Sequence, residues 1–166
     1  MEEIIIKKFN IKNKNISNIN SMLEIFVKIH NENLKKRVEN KYFLDIFYSS
    51  QYEIYIILDD KFKNLLGYII FYDSIDFIDL FEIAIEKKMN NKGLEKRLIK
   101  ESINILFLEK KYKNRNEIEK QIILEVDENN YNAIKLYLKL GFEEISLRKN
   151  YYGLNNHGIV MKKKVE

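Results

Sequence analysis

The sequence predicts a mixed α/β domain whose central sheet is mostly antiparallel but holds one parallel pair, with helices on its flanks. Three observations predict it. The apolar period changes from helical to strand-like between residues 47 and 53. A strand, a long helix and a second strand follow one another from Asp79 to Asp127, a crossover that makes the two strands parallel neighbours. At 166 residues, 46% hydrophobic and 33% charged, the chain has enough apolar material for one core and too little length to presume two, so residues 1–166 are expected to form a single domain.

A first strand is expected over about Glu3 to Phe9. Ile19, Met22, Leu23 and Phe26 then occupy one face at i, i+3, i+4 and i+7, predicting a helix over about Ser17 to Glu32. Tyr42, Phe43, Ile46 and Phe47 repeat that spacing over a shorter helix. From Glu53 to Ile85 the chain is rich in Ile, Tyr and Phe and is broken at "LDDKFKN" and "YDSID", giving about three strands joined by short polar turns. A helix over about Gly93 to Lys111, a strand near Lys120 to Asp127, a helix over about Asn130 to Leu140 and strands around Phe142 to Tyr152 and Gly158 to Lys164 complete the order β-α-α-β-β-β-α-β-α-β-β. "KKYKNRNEIEK" reads as the mobile loop of the chain.

Composition narrows the function classes. With 29 basic and 25 acidic residues the net charge is +4, and the lysines are scattered, so charge does not indicate a nucleic-acid partner. The chain has no Cys and two separated histidines, His30 and His157, which speaks against a thiolate or His-rich metal site; no metal is expected, and both histidines read as surface or packing residues. "MEEIIIKK" is acidic where an export signal would be basic. Leu65 to Tyr72, the longest mostly apolar stretch, falls far short of the roughly 20 residues that span a bilayer. A cytoplasmic protein without a membrane partner is the expectation.

The candidate binding element is "MNNKGLEKR", Met89 to Arg97, where a Gly-containing loop leads from a strand into a helix. Unpaired N–H groups in a first helical turn, together with the helix dipole, favour an anion there. On its own such a glycine reads first as a simple turn residue. The stretches "LFEIAIEKKMNNKGLEKRL", "ILEVDENNYNAIKLYLKLGF", "LRKNYY" and "GIVMKK" follow in that order, and with them the chain resembles the GNAT superfamily of N-acetyltransferases, most closely the RimI-like enzymes that acetylate the N-terminal alanine of a ribosomal protein. The resemblance covers about Gly67 to Lys162.

That resemblance implies a GNAT-like sheet with a splayed parallel pair and acetyl-CoA as cosubstrate. It also implies that the backbone of Ile83, Ala84 and Ile85 pairs with the pantetheine arm, that Asn91, Lys92, Gly93, Leu94, Glu95 and Lys96 form the pyrophosphate loop, and that Asn130 touches the cofactor. Glu125 would be the general base and Tyr137 the general acid. The chemistry asks for such groups: an α-amine with a reference pKa of about 7.7 to 8.0 needs one proton acceptor to become a nucleophile, and the departing thiolate needs a donor. In "QIILEVD" strand alternation sets Glu125 on one face with Ile123 and Asp127, opposite Ile122, Leu124 and Val126. Read from the residues alone, Glu125 is first an edge-facing or salt-bridged strand Glu, and Tyr137, with Tyr131, Ile134 and Leu138 as helical neighbours, is first a core aromatic.

The loop departs from the family pattern at its end, where Glu95 replaces a small residue. Aimed at the pyrophosphate, a carboxylate at 4 Å costs about 1 kcal/mol in water and about 4 at an effective dielectric of 20, or roughly 10-fold to 1000-fold in affinity. Turned outward, it stabilises the helix start. The function expected is therefore acetyl transfer to a primary amine, first a protein or peptide N-terminus such as that of a ribosomal protein. The alternatives are an acetyltransferase for a small amine and a GNAT-fold binding module whose cofactor binding Glu95 has impaired.

Overall fold

A computed structural model describes residues 4–11, 16–59, 61, 63–90, 92–116 and 120–165. The strands are β1 (Ile4–Lys8), β2 (Tyr52–Asp59), β3 (Leu65–Asp73), β4 (Ile78–Ile85), β5 (Gln121–Asp127), β6 (Glu143–Gly153) and β7 (Asn156–Lys164). The helices are α1 (Ile16–Asn33), α2 (Asn40–Tyr48), α3 (Leu94–Leu108), α4 (Lys110–Lys113) and α5 (Tyr131–Lys139), with a 3₁₀ turn at Lys87–Met89. The seven strands run β1-β2-β3-β4-β5-β7-β6. β4 and β5 form the parallel pair, and their register extends over two positions, Ile78 with Ile122 and Asp79 with Ile123. The order expected from the sequence is present. It gains the 3₁₀ turn and α4; Glu3, where the first strand was expected to start, lies outside the described residues.

The chain divides into two compact units, residues 1–72 with 81–104 and residues 73–80 with 105–166. In the first, the apolar faces of α1 and α2 bury Leu23, Phe26, Ile29, Phe43 and Phe47 with Phe9, Ile54, Ile56, Tyr68 and Ile70. Phe26 anchors this core, stacked on Tyr68 with ring centroids 4.6 Å apart and edge-on to Phe47 at 5.0 Å. Gly67 is required in β3, because a Cβ there would lie 2.6 Å from Ala84 O and 2.5 Å from Ile85 Cδ1.

A buried polar knot crosses this apolar unit. Glu82 of β4 accepts hydrogen bonds from Tyr42 at 2.7 Å and Tyr68 at 2.5 Å, and lies 2.9 Å from His30 Nδ1. His30 Nε2 donates to Lys36 O at 2.8 Å. A carbonyl can only accept, so Nε2 carries a proton, and Nδ1 shares a second hydrogen bond with Glu82. Burial opposes a charge on His30, but the Glu82 carboxylate and the Lys36 carbonyl outweigh it and raise its pKa. Burial with Glu82 nearby likewise raises the Tyr42 and Tyr68 phenols, so both remain donors. His30 is thus a packed residue whose contacts with Glu82 and Lys36 O favour its charged form.

In the second unit, Ile122, Leu124 and Val126 of β5 are buried while Ile123, Glu125 and Asp127 are half-buried, the alternation read from "QIILEVD". β7 lies antiparallel beside β5, and β6 beside β7. The stretch expected to be mobile is ordered in its first half: Lys110–Lys113 forms α4, Tyr112 is fully buried, and Arg115 and Lys111 bind Asp73 at 2.5 and 2.8 Å. Residues 117–119 lie outside the described set. Asp73 also accepts from Ile75 N at 3.2 Å, holding that residue at φ +73° in the β3–β4 turn. Burial works against the charge on Asp73, yet Lys111, Arg115 and that N–H lower its pKa.

Two pH effects of opposite sign follow. His30 has a raised folded pKa, so its stabilisation is complete below pH 6.5 and is lost as pH rises through the folded value; that of Asp73 is present above pH 3.8 and is lost as pH falls. His30→Ala, which strands Glu82 as a buried charge, is expected to cost about 3–5 kcal/mol. The loss is read from the urea midpoint, and a cost under about 1 kcal/mol would refute the ion pair.

Candidate functional site

The residues singled out in the sequence fall into two groups. Ile83, Ala84, Ile85, Lys92, Gly93, Leu94, Glu95 and Lys96 belong to the first unit, and Glu125, Asn130 and Tyr137 to the second. Asn91 lies outside the described residues.

In the first group, Ala84 and Ile85 are buried and Ile83 half-buried near the end of β4. Asn33 Nδ2 donates to Ile85 O at 2.9 Å, so that carbonyl already has a partner. The chain leaves β4 through the 3₁₀ turn, reverses at Gly93 with φ +74°, and enters α3 at Leu94, which is buried. Gly93 is needed for that left-handed angle rather than for space, since nothing lies within 4 Å of where its Cβ would be. This open backbone fits the close approach of a phosphate. Glu95 stands half-buried in the first turn of α3, with no cation paired to it among the described residues. Arg97, two residues on, is engaged with Glu101 at 2.6 Å and with Ile4 O at 3.0 Å.

In the second group, Glu125 sits in the middle of β5 opposite Val160 of β7. Its Oε1 accepts from Arg148 of β6, while Oε2 is buried with no well-formed hydrogen bond among the described residues. Arg148 lies over the Tyr151 ring at 4.4 Å. Tyr151 itself has a raised pKa, first through hydrogen bonding to Glu125 and then through burial. Tyr152 donates to the Glu125 backbone carbonyl at 3.1 Å. Asp79, paired with Ile123, brings a second carboxylate to the face that Glu125 shares. Burial, and then the charge on Glu125, push Asp79 up to about 6.

Tyr137 is buried on α5, its ring edge-on to Phe142 at 5.6 Å. Burial and the neighbouring Tyr152 push its phenol up to about 12, so it keeps its proton throughout the neutral range. Asn130 caps α5, its Oδ1 accepting from Ala133 N at 3.2 Å. The structure thus brings Glu125, Asp79, Arg148, Tyr151 and Tyr152 together, with Tyr152 also set near Tyr137. As far as packing goes, Glu125 is salt-bridged and Tyr137 is a buried aromatic.

Reading the sequence missed Asp79, Arg148, Tyr151 and Tyr152 as members of this cluster. "LRKNYY" was the signal for the last three, and an Asp in an otherwise apolar strand, "FIDLF", was the signal for the first.

A strand-crossover sheet of this order, with a Gly-turned loop opening α3 and a carboxylate at mid-β5, defines a class. The chain belongs to the acetyltransferase (GNAT) family, whose model matches residues 19–142. Among characterised proteins it is 29% identical over 102 residues to the [ribosomal protein bS18]-alanine N-acetyltransferase of Haemophilus ducreyi, a match spanning 59% of this chain and 65% of that relative's length. The crystal structure of the ribosomal-protein-S18-alanine N-acetyltransferase of Escherichia coli is similar with a TM-score of 0.75 at 21% identity, covering 99% of this chain and 95% of that one. Arabidopsis thaliana NAA60 in complex with a bisubstrate analogue is similar with a TM-score of 0.74 at 17% identity, covering 99% of each chain. Among the described residues no helix is long and apolar enough to cross a membrane.

Carbon-13 NMR at the tyrosine Cζ tests the environment of Tyr137. The resonance lost in Tyr137→Phe is expected to titrate near pH 12 in the unsubstituted protein. A midpoint near 10, the reference value, would place the hydroxyl in solvent.

Proposed function

We propose that the protein is an acetyl-CoA-dependent N-acetyltransferase acting on a primary amine, first of all the N-terminal α-amine of a protein or peptide, and that residues 1–166 work as one acetyltransferase domain in the cytoplasm. The observation that carries this is Glu125, a strand carboxylate with one oxygen held by Arg148 and the other free of a well-formed hydrogen bond. Family membership supports the reaction class. The relative that acts on a ribosomal-protein alanine supports the choice of acceptor.

In this reading acetyl-CoA supplies the activated acetyl group. The backbone of Ile83, Ala84 and Ile85 pairs with its pantetheine arm, the loop of Asn91, Lys92, Gly93, Leu94, Glu95 and Lys96 receives the pyrophosphate, and Asn130 contacts the cofactor from the start of α5. Glu125 takes a proton from the acceptor ammonium through water. The freed amine attacks the thioester carbonyl, forming C–N and breaking C–S; Tyr137 protonates the leaving sulfur and is reprotonated by the second proton that the new amide nitrogen gives up. No covalent intermediate on the enzyme is required.

Glutamate at position 95 favours a second reading, a family member with impaired cofactor binding. Isothermal titration of acetyl-CoA separates the two. Micromolar binding is expected, and no heat up to millimolar would leave the non-catalytic module. Under the first reading, Glu95→Gly tightens binding by about 10-fold to 1000-fold if the carboxylate faces the pyrophosphate, and leaves it unchanged if the side chain turns outward.

With binding established, Glu125→Gln and Tyr137→Phe are each expected to lower kcat toward an alanine-first peptide by about 10²-fold to 10⁴-fold with the fold retained by circular dichroism. Unchanged turnover in both would remove these residues from the chemistry.

A further inference from the structure

Two carboxylates meet at the parallel contact of the sheet, and they are compensated unequally. Residues paired across parallel strands present their side chains to one face, and side chains two apart on a strand share a face. Asp79, paired with Ile123, is therefore the diagonal neighbour of Glu125 on a common face. Glu125 has the Arg148 guanidinium on Oε1. Asp79 has no cation and no hydrogen-bond donor among the described residues, although it is half-buried. Of two negative charges and one positive, the unmatched charge belongs to Asp79.

The remaining titratable groups against Asp79 sharpen this asymmetry. Among the described residues they are Glu125 of β5 and Tyr151 of β6, an acid and a phenol, neither of which carries a positive charge. A proton taken up by the pair settles on the member that lacks a cation. An acceptor arriving as a primary ammonium would bring the charge that the cluster lacks, and would bring it with the proton to be removed.

We propose that Asp79 is the proton sink of the transfer, receiving from Glu125 the proton that Glu125 takes from the acceptor ammonium. This deepens the acetyltransferase reading and rests on it. The ammonium gives H⁺ to Glu125, Glu125 gives it to Asp79, and Glu125 is again a carboxylate before the amine attacks. The second amine proton leaves with the CoA thiol through Tyr137, and Asp79 releases the first to solvent once the acetylated product departs. Asp79 acts through Glu125, and its role is that of a relay. The step gives Arg148 a purpose beyond packing: by compensating Glu125 it sets the direction in which the proton moves.

The test compares wild-type protein with Asp79→Asn and Asp79→Glu, using acetyl-CoA and a synthetic peptide with a free N-terminal alanine. Asp79→Asn is expected to lower kcat by about 10-fold or more and to abolish the acid limb of the kcat profile near pH 6; Asp79→Glu restores most of the rate. A residue that merely supported the fold would not move the pH limb. Superimposable Asn and wild-type profiles would overturn the relay alone. Wild-type protein inactive toward every amine offered would overturn the acetyltransferase reading and the relay with it. Carboxyl ¹³C titration of the unsubstituted free protein gives a check that needs no variant, with Asp79 titrating near 6 in support and near the ordinary value of about 4 against.

Discussion

A carboxylate on a central strand needs a partner, and much of this molecule is arranged around that need. Burying an ionised group without compensation costs several kcal/mol, more than any single apolar contact returns. Glu82 in β4 has His30, Tyr42 and Tyr68 around it, drawn from α1, α2 and β3. Asp73 at the end of β3 has Lys111 and Arg115. Glu125 in β5 has Arg148 from β6. Each pairing ties distant stretches of chain to a strand, so satisfying these acids also fixes where helices and turns lie.

The partners differ in kind, and the difference separates scaffold from chemistry. Both oxygens of Glu82 are occupied, and the acid is buried with its histidine partner, an arrangement that locks one geometry and leaves nothing for a ligand. Glu125 is satisfied on one oxygen and keeps the other without a well-formed partner, on a residue still partly open. Asp79 has no compensation at all among the described residues. The series runs from complete to absent compensation, and the proposed proton chemistry lies at the incomplete end.

What the sequence made legible was whatever depends on short-range period. The alternation in "QIILEVD" put Glu125 on the less buried face of β5, the spacing of Ile19, Met22, Leu23 and Phe26 set the buried face of α1, and the strand–helix–strand run from Asp79 to Asp127 required the parallel pair. What stayed hidden depends on contacts between residues far apart in the chain. His30 and Glu82 are 52 positions apart, Asp73 and Arg115 are 42, and Glu125 and Arg148 are 23. No local pattern links such pairs. The segment "KKYKNRNEIEK" read as mobile, but Asp73, distant in sequence, binds Arg115, and Tyr112 packs at its base. A His on the apolar face of α1 and a Glu inside "LFEIAI" were each a quiet signal of a buried partner.

The loop that opens α3 follows the same logic from the other side. Its backbone turns at a glycine with open space around it and offers the unpaired N–H groups of a helix start, a site that wants negative charge. Glu95 brings a negative charge of its own into that turn. A phosphate therefore competes there with a carboxylate that the helix dipole already favours, and Lys92 and Lys96 are the nearest cations in sequence able to offset the repulsion. Arg97 is held elsewhere by Glu101 and the Ile4 carbonyl. If the loop receives the pyrophosphate as proposed, the cost of binding is set by whether the Glu95 side chain can swing away from the helix axis. A half-exposed glutamate has that freedom, at a loss of side-chain entropy of at most about 2 kcal/mol. This is smaller than the roughly 4 kcal/mol repulsion it avoids in a partly desolvated site. On that balance Glu95 alone does not bar the pyrophosphate from the proposed loop.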